Sequence, residues 1–208
     1  MISILKKFYN HFRRKETVNE LLCKCIGDVR VIIKGGTLDI HPSVVLNSNP
    51  KGYHVAMPFA TTLIADRQGS YISIGENTRV HGTYIHAWKS VRIGKGVLIA
   101  AGTTIVDSNG HSSDIRYARY RRMFQDTPAA IEIGDYVWIG MNSIILKGVR
   151  IGECAIIAAG SVIKKDIPPF AVVEGNPAQI VRYLDPTEAL PEHCSEEILS
   201  QEEGYYVY

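Results

Sequence analysis

The sequence predicts an all-β chain whose central part, from about Val29 to Pro177, winds into a parallel β-helix of six-residue repeats. Two observations carry that prediction. An isoleucine recurs every six residues at Ile133, Ile139, Ile145, Ile151, Ile157 and Ile163, and four residues after each stands a smaller or β-branched side chain, Val137, Ser143, Val149, Ala155, Ser161 and Ile167. Neither of the ordinary templates explains a strict six, because a helix needs apolar residues near every 3.6 and a half-buried strand needs alternation. A short strand followed by a corner does explain it. Each hexad supplies one flat face with its isoleucine inward, and the small residue that often follows, as in Gly134, Gly140, Gly152 and Ala158, relieves crowding where the chain bends. Stacked coils then bury a continuous aliphatic column, with ends that need caps.

In chain order, residues 1–27 form an N-terminal amphipathic or capping segment. Leu5, Phe8 and Phe12 share one side of a short helix flanked by Lys6, Lys7, Arg13, Arg14 and Lys15, a pattern that suits either a cap over the open column or contact of residues 1–15 with an anionic membrane surface. Residues 28–183 hold the β-helix. Its repeat is weak at Ile40 with Val44, Ile74 with Gly75 and Val80, and clear at Ile93, Ile99 and Ile105. Ile105 and Ile133 are 28 residues apart, not a multiple of six, so a loop over 107–130 interrupts the coils. Residues 184–208 read as an acidic tail or short helix.

Composition fits one domain of 208 residues. Lys plus Arg number 23 against 21 Asp plus Glu, so charge balance gives no reason to expect nucleic acid as a partner. Cys23, Cys25, Cys154 and Cys194 have neither metal-ligand spacing nor the density of a secreted disulfide scaffold, which points to a cytoplasmic setting. No run has the length of a transmembrane helix.

The segment IEIGDYVWIGMNSIILKGVRIGECAIIAAGSVIKKDIPPFAVVEGNPAQIV resembles the hexapeptide-repeat acetyltransferases, specifically the sugar and polysaccharide O-acetyltransferases of galactoside, maltose and O-antigen type. The likeness implies a left-handed β-helix with three hexads per turn, against the usual right-handed crossover rule, and a homotrimer. It also implies transfer of an acetyl group from acetyl-CoA to a hydroxyl of a sugar or polysaccharide precursor, without metal. His111 stands where the family carries its catalytic histidine and is expected to act as general base in a direct transfer. Its orienting partner is Asp107, Asp114 or a backbone carbonyl; the sequence leaves the three open. Trp138 matches a tryptophan that walls the acceptor and thioester site, or else packs on an outer face. Met141, Ala159, Lys164, Lys165 and Arg182 fall where family members contact acetyl-CoA, the first two through backbone groups. Where the galactoside enzymes carry a substrate-binding asparagine, this chain has Gly82, a departure that weighs against a galactoside acceptor.

The loop DSNGHSSDIRYARYRRMFQDTPAA also holds Arg116, Arg119, Arg121 and Arg122 interleaved with Tyr117 and Tyr120, either a solvated or subunit-contacting face or a surface for a polyanion or sugar. Three readings compete with sugar O-acetylation. One is N-acetylation of an amino sugar nucleotide. A second is a zinc carbonic anhydrase of the same coiled architecture built on His81, His86 and His111, although in those enzymes the lone histidine precedes the close pair. The third is a scaffold that binds no acetyl-CoA.

Overall fold

The computed structural model describes residues 22–187. The expected N-terminal helix, its membrane-facing residues 1–15 and nearly all of the acidic tail lie outside the described residues. Within them the chain is a left-handed parallel β-helix, a three-sided prism of very short strands.

The first face stacks eight strands: Lys24–Ile26, Val45–Asn47, Arg79–His81, Leu98–Ile99, Trp138–Ile139, Ile156–Ile157, Ala171–Gly175 and Ala178–Tyr183. The second face carries Arg30–Ile33, Thr62–Ala65, Tyr84–Ala87, Thr104–Val106, Ile144–Ile145 and Val162–Ile163, and the third Thr37–Ile40, Tyr71–Ile74, Ser90–Ile93, Ile131–Ile133 and Arg150–Ile151. The chain visits the faces in that order on every turn. The coils begin at Lys24, ahead of the expected start at residue 28. All pairings among the named strands are parallel except the last, where Ala178–Tyr183 folds back antiparallel on Ala171–Gly175.

The six periodic isoleucines all point inward: Ile139, Ile145, Ile157 and Ile163 are fully buried, and Ile133 and Ile151 nearly so. The second inward position of each hexad is equally enclosed, from Val137 through Ser143 to Ser161. Side-chain size follows from the space available, since a triangular coil closes tightly only if one of its two inward positions per side is small. Fully burying each isoleucine contributes about 1.5–3 kcal/mol. The corners are equally strict. A Cβ on Gly140 would stand 2.5 Å from the Ala159 nitrogen of the next coil. The weak upstream echoes Val44, Ile74 and Val80 belong to the same column.

Two loops leave the prism, not one. The first joins Asn47 to Thr62 at the corner between first and second faces, and the second joins Val106 to Ile131 at the corner between second and third. The first loop breaks no regular period, because residues 28–70 follow the six-residue repeat only loosely. Among the described residues no helix is long and apolar enough to cross a membrane.

Candidate functional site

The second loop is built as a doubled strap. Its start and end are tied together by the Ala129 amide, which donates to the Asp107 carbonyl at 2.9 Å, and by the Ser112 amide, which donates to the Phe124 carbonyl at 3.0 Å. Two 3-10 turns, Ile115–Tyr117 and Arg121–Met123, fold its tip, and the Tyr117 and Phe124 rings stack with centroids 4.0 Å apart. Its anchor to the prism is ionic. Lys147, on the coil below, donates to both oxygens of Asp126 at 2.7 and 2.6 Å and to the Thr127 carbonyl at 3.1 Å, while the Asn109 amide donates to the same carboxylate at 2.9 Å. Burial alone would push the Asp126 carboxyl up, but the ammonium and the amides outweigh it and hold the group below the usual carboxylate range.

His111 is exposed near the base of this strap, and its Nδ1 lies 3.0 Å from the Arg121 carbonyl oxygen. A carbonyl can only accept, so Nδ1 carries the proton and Nε2 presents its lone pair outward. The hydrogen-bond partner of the His111 ring is thus a backbone carbonyl, and Asp107 and Asp114 make their hydrogen bonds elsewhere. Asp107 is fully buried and turned away, accepting from the Trp88 and Lys89 amides at 2.7 Å each. Burial pushes its carboxyl up, with the Trp88, Lys89 and Ser90 amides pulling the other way. Asp114 caps the first 3-10 turn and is engaged by Arg116, which holds its carboxyl below the usual range.

The other expected residues fall on different parts of the prism. Trp138 is half exposed on the first face, paired in register with Leu98 above and Ile156 below. Met141 and Ala159 lie on successive coils at the corner between first and second faces, where the Gly160 amide donates to the Met141 carbonyl at 2.8 Å. A Cβ at Gly160 would meet nothing within 4 Å, so this corner stays open along its outer side. Lys164 and Lys165 are exposed at the following corner, and Arg182 is exposed on the terminal hairpin opposite Val172. One chain thus does not gather the five residues into a single cavity. The open corner and the two lysines lie on separate edges of the prism.

The three histidines of the zinc reading do not converge. His81 stacks on Tyr53 with centroids 4.7 Å apart, and burial, then the charges of Arg79 and His54, push its pKa down to about 4. His86 is held by Asp66 and Trp88, and His111 by Arg121. Among the described residues no group of three or more His, Cys, Asp or Glu side chains could hold a metal ion. A groove of about 710 Å³ runs along the third face past Arg92, Glu132, Arg150 and Asp166, and His111 does not line it. Arg150 Nε lies 3.2 Å from Glu132, the Arg150 amide donates to Asp166, and Arg92 donates to the Ser90 hydroxyl.

Sequence reasoning missed Asp66, Arg67 and Trp88, which meet His86 across two successive turns above the loop, and it weighed His86 only as a metal ligand. Nothing in the spacing of the other three marks them.

Comparison with known proteins agrees with this architecture. The bacterial transferase hexapeptide family, described as six repeats, matches residues 130–165. The galactoside O-acetyltransferase of Escherichia coli K12 is 36% identical over 119 residues, 56% of each chain, so this chain spans little more than half of that relative. The crystal structure of a hexapeptide-repeat-containing acetyltransferase of Vibrio cholerae O1 biovar eltor, complexed with acetyl coenzyme A, is 30% identical. It matches over 74% of this chain and 73% of its own, with a TM-score of 0.55. A galactoside acetyltransferase in complex with coenzyme A is 28% identical over 76% of this chain and 66% of that one, with a TM-score of 0.53.

Proposed function

The chain belongs to the hexapeptide-repeat acetyltransferases, and from that premise we propose that it moves an acetyl group from acetyl-CoA to a hydroxyl of a sugar or polysaccharide precursor, with His111 as general base. The observation that carries the reading is the hydrogen bond from His111 Nδ1 to the Arg121 carbonyl, which leaves Nε2 without a partner among the described residues. A neutral imidazole held in that tautomer takes the hydroxyl proton while the oxygen bonds to the thioester carbon. It then returns the proton to the sulfur as the carbon–sulfur bond breaks, so no acyl-enzyme is required. General-base help of this kind is worth roughly 10²–10⁴ in rate.

Acetyl-CoA is the donor substrate. Its pantetheine arm runs along the open corner of Met141 and Ala159, and its phosphates meet Lys164, Lys165 and Arg182. Because those groups lie on separate edges of one prism, the complete donor site needs a neighbouring copy, and a homotrimer supplies one. The first face has the apolar surface to meet it: Leu98, Trp138, Ile180, Val181 and Tyr183 are all about half exposed. Trp138 then walls the space beside the partner's imidazole.

The test is thiol release from acetyl-CoA with a panel of neutral, amino and acidic sugars. His111→Asn should lower kcat by roughly 10²–10⁴ while leaving acetyl-CoA affinity, measured by calorimetry, unchanged. Normal turnover in that variant would remove the assignment.

A further inference from the structure

Directly above the His111 loop, the same edge of the prism carries a cluster that the proton transfer does not use. The His86 Nε2 lies 2.9 Å from Asp66 Oδ1 and 3.1 Å from the Trp88 indole nitrogen. The Arg67 guanidinium lies over the Trp88 ring, 4.3 Å from its centroid. This cluster and the catalytic loop share one root. Asp107, the first residue of the loop, fixes the Trp88 and Lys89 amides with its two carboxylate oxygens.

Arg67 is presented in a particular way. Stacking occupies the flat face of a guanidinium and leaves its in-plane N–H fork available. Its Nη1 is 3.6 Å from Asp66 and 3.5 Å from the Asp66 carbonyl, whereas Nε and Nη2 have no partner among the described residues. A fork held flat on an aromatic ring, with one edge free, has the geometry that receives a carboxylate through two parallel hydrogen bonds.

Charge around the fork points the same way. Asp66 is shared between Arg67 and His86, Asp114 faces Arg116 and Asp126 faces Lys147, so the nearby acids are already engaged. Lys89 beside Trp88, and Arg119, Arg121 and Arg122 on the loop, are exposed and form no ion pair among the described residues. The whole chain is close to neutral at +2, so this surplus is local to the edge that holds the imidazole. Such a patch raises the local concentration of anions and orients them before contact.

We propose that the acetyl acceptor is an acidic saccharide whose carboxylate seats on the free edge of Arg67, with Lys89 and the loop arginines steering it and its hydroxyl delivered to His111. The proposal rests on the acetyl-transfer reading and adds the substrate class. Aromatic and guanidinium surface at Trp88 packs the apolar face of the sugar ring.

The experiment compares glucuronic acid, galacturonic acid and N-acetylneuraminic acid, as monomers and as short oligomers, with their methyl esters, which keep every hydroxyl and lose the charge. Thiol release is the readout. For at least one acid the ester should show a kcat/KM lower by tenfold or more, chiefly through KM, and the difference should shrink as salt rises. Arg67→Gln should bring the acid-to-ester ratio close to one, and Arg67→Lys, which keeps charge but loses the fork, should restore part of it. Acetyl-CoA affinity of both variants serves as the measure of intact folding. Preference for oligomers over monomers would identify a polymer as the source of the carboxylate. Turnover of neutral sugars alone, equal turnover of acid and ester, or an acid-to-ester ratio unaltered in Arg67→Gln would overturn the proposal while leaving acetyl transfer standing. Absence of thiol release with every sugar would overturn both.

Discussion

Lys147 is the point at which the loop that carries His111 can be released without touching the imidazole. Its ammonium makes two short contacts to Asp126 and one to Thr127, and the Asp126 side chain is only 7% exposed. Lys147→Met keeps the length and apolar stem of the side chain but leaves that carboxylate with only the Asn109 and Thr127 backbone amides to support its charge. Removing one partner of a buried pair costs about 3–5 kcal/mol. Lys147 itself is 28% exposed, so water replaces part of the loss and about 2–3 kcal/mol is the appropriate figure here. Each 1.4 kcal/mol is a factor of ten, so the population with the strap lifted should rise roughly 30- to 150-fold. Trypsin reads that population directly, because the strap carries Arg119, Arg121 and Arg122 and cleavage follows the open form when reclosing is fast. Limited trypsinolysis should therefore nick Lys147→Met some 30 to 150 times faster within residues 107–130, with the thermal midpoint of the prism nearly unmoved. Pairing it with Asp126→Asn removes the stranded charge, and the double variant should recover most of the resistance. Nicking within twofold of wild type, or a double variant as labile as the single, would refute the view that this ion pair holds the strap.

Two further outcomes follow from the prism itself. Gly140→Ala places a methyl 2.5 Å from the Ala159 nitrogen and 2.9 Å from the Ile157 carbonyl that Gly140 now donates to, so the coils must part; a loss of about 2–4 kcal/mol in urea unfolding is expected, and wild-type stability would show that the coil spacing is not limited there. His81 has a folded pKa of about 4 against an ordinary 6.5, so between those values the unfolded chain binds a proton that the folded chain does not, and stability must fall as pH falls. The loss is at most about 2 kcal/mol by pH 5. His81→Phe keeps a ring on Tyr53 and cannot titrate, so its unfolding free energy at fixed protein concentration should decline less from pH 7.5 to 5; parallel declines would remove the effect.

The prism was legible where its coils are uniform. Ile145 pairs with Ile163, eighteen residues on, so three hexads make one turn and the isoleucine column surfaces in the sequence as an unbroken period. Upstream the same column is present, but Ile85 pairs with Ile105 after twenty residues and Leu63 with Ile85 after twenty-two. The extra residues enter at the corners, as at Asp66 to Ser70 between the second and third faces, and they shift the phase without changing which side chains point inward. A fixed period cannot follow a coil whose corners vary in length. For the same reason the excursion from Asn47 to Thr62 was not marked as a loop: there was no regular phase on either side for it to interrupt.

The site divides along the same physical line. His111 is nominated by the sequence because a histidine stands at a break in a regular pattern, where the resembling family carries one. Its partner is not, since the sequence nominates side chains, here Asp107 and Asp114, while every residue carries a carbonyl and nothing marks Arg121 as the one that will face the ring. Asp107 illustrates what that bias hides. Its carboxylate does matter to the loop, but by gripping the Trp88 and Lys89 amides of the coil above, and that contact exists only once the register of two coils is fixed. Arg67 reaches Trp88 by the same stacking, twenty-one residues apart in sequence and 4.3 Å apart in space. In a fold whose contacts are nearly all between one turn and the next, which groups meet along an edge, as Arg67 and Trp88 do, is set by coil length. A one-residue insertion at Gln68 or Gly69 would therefore be expected to disturb acceptor choice with the isoleucine column intact, because it moves Arg67 relative to Trp88 while leaving the inward positions able to pair.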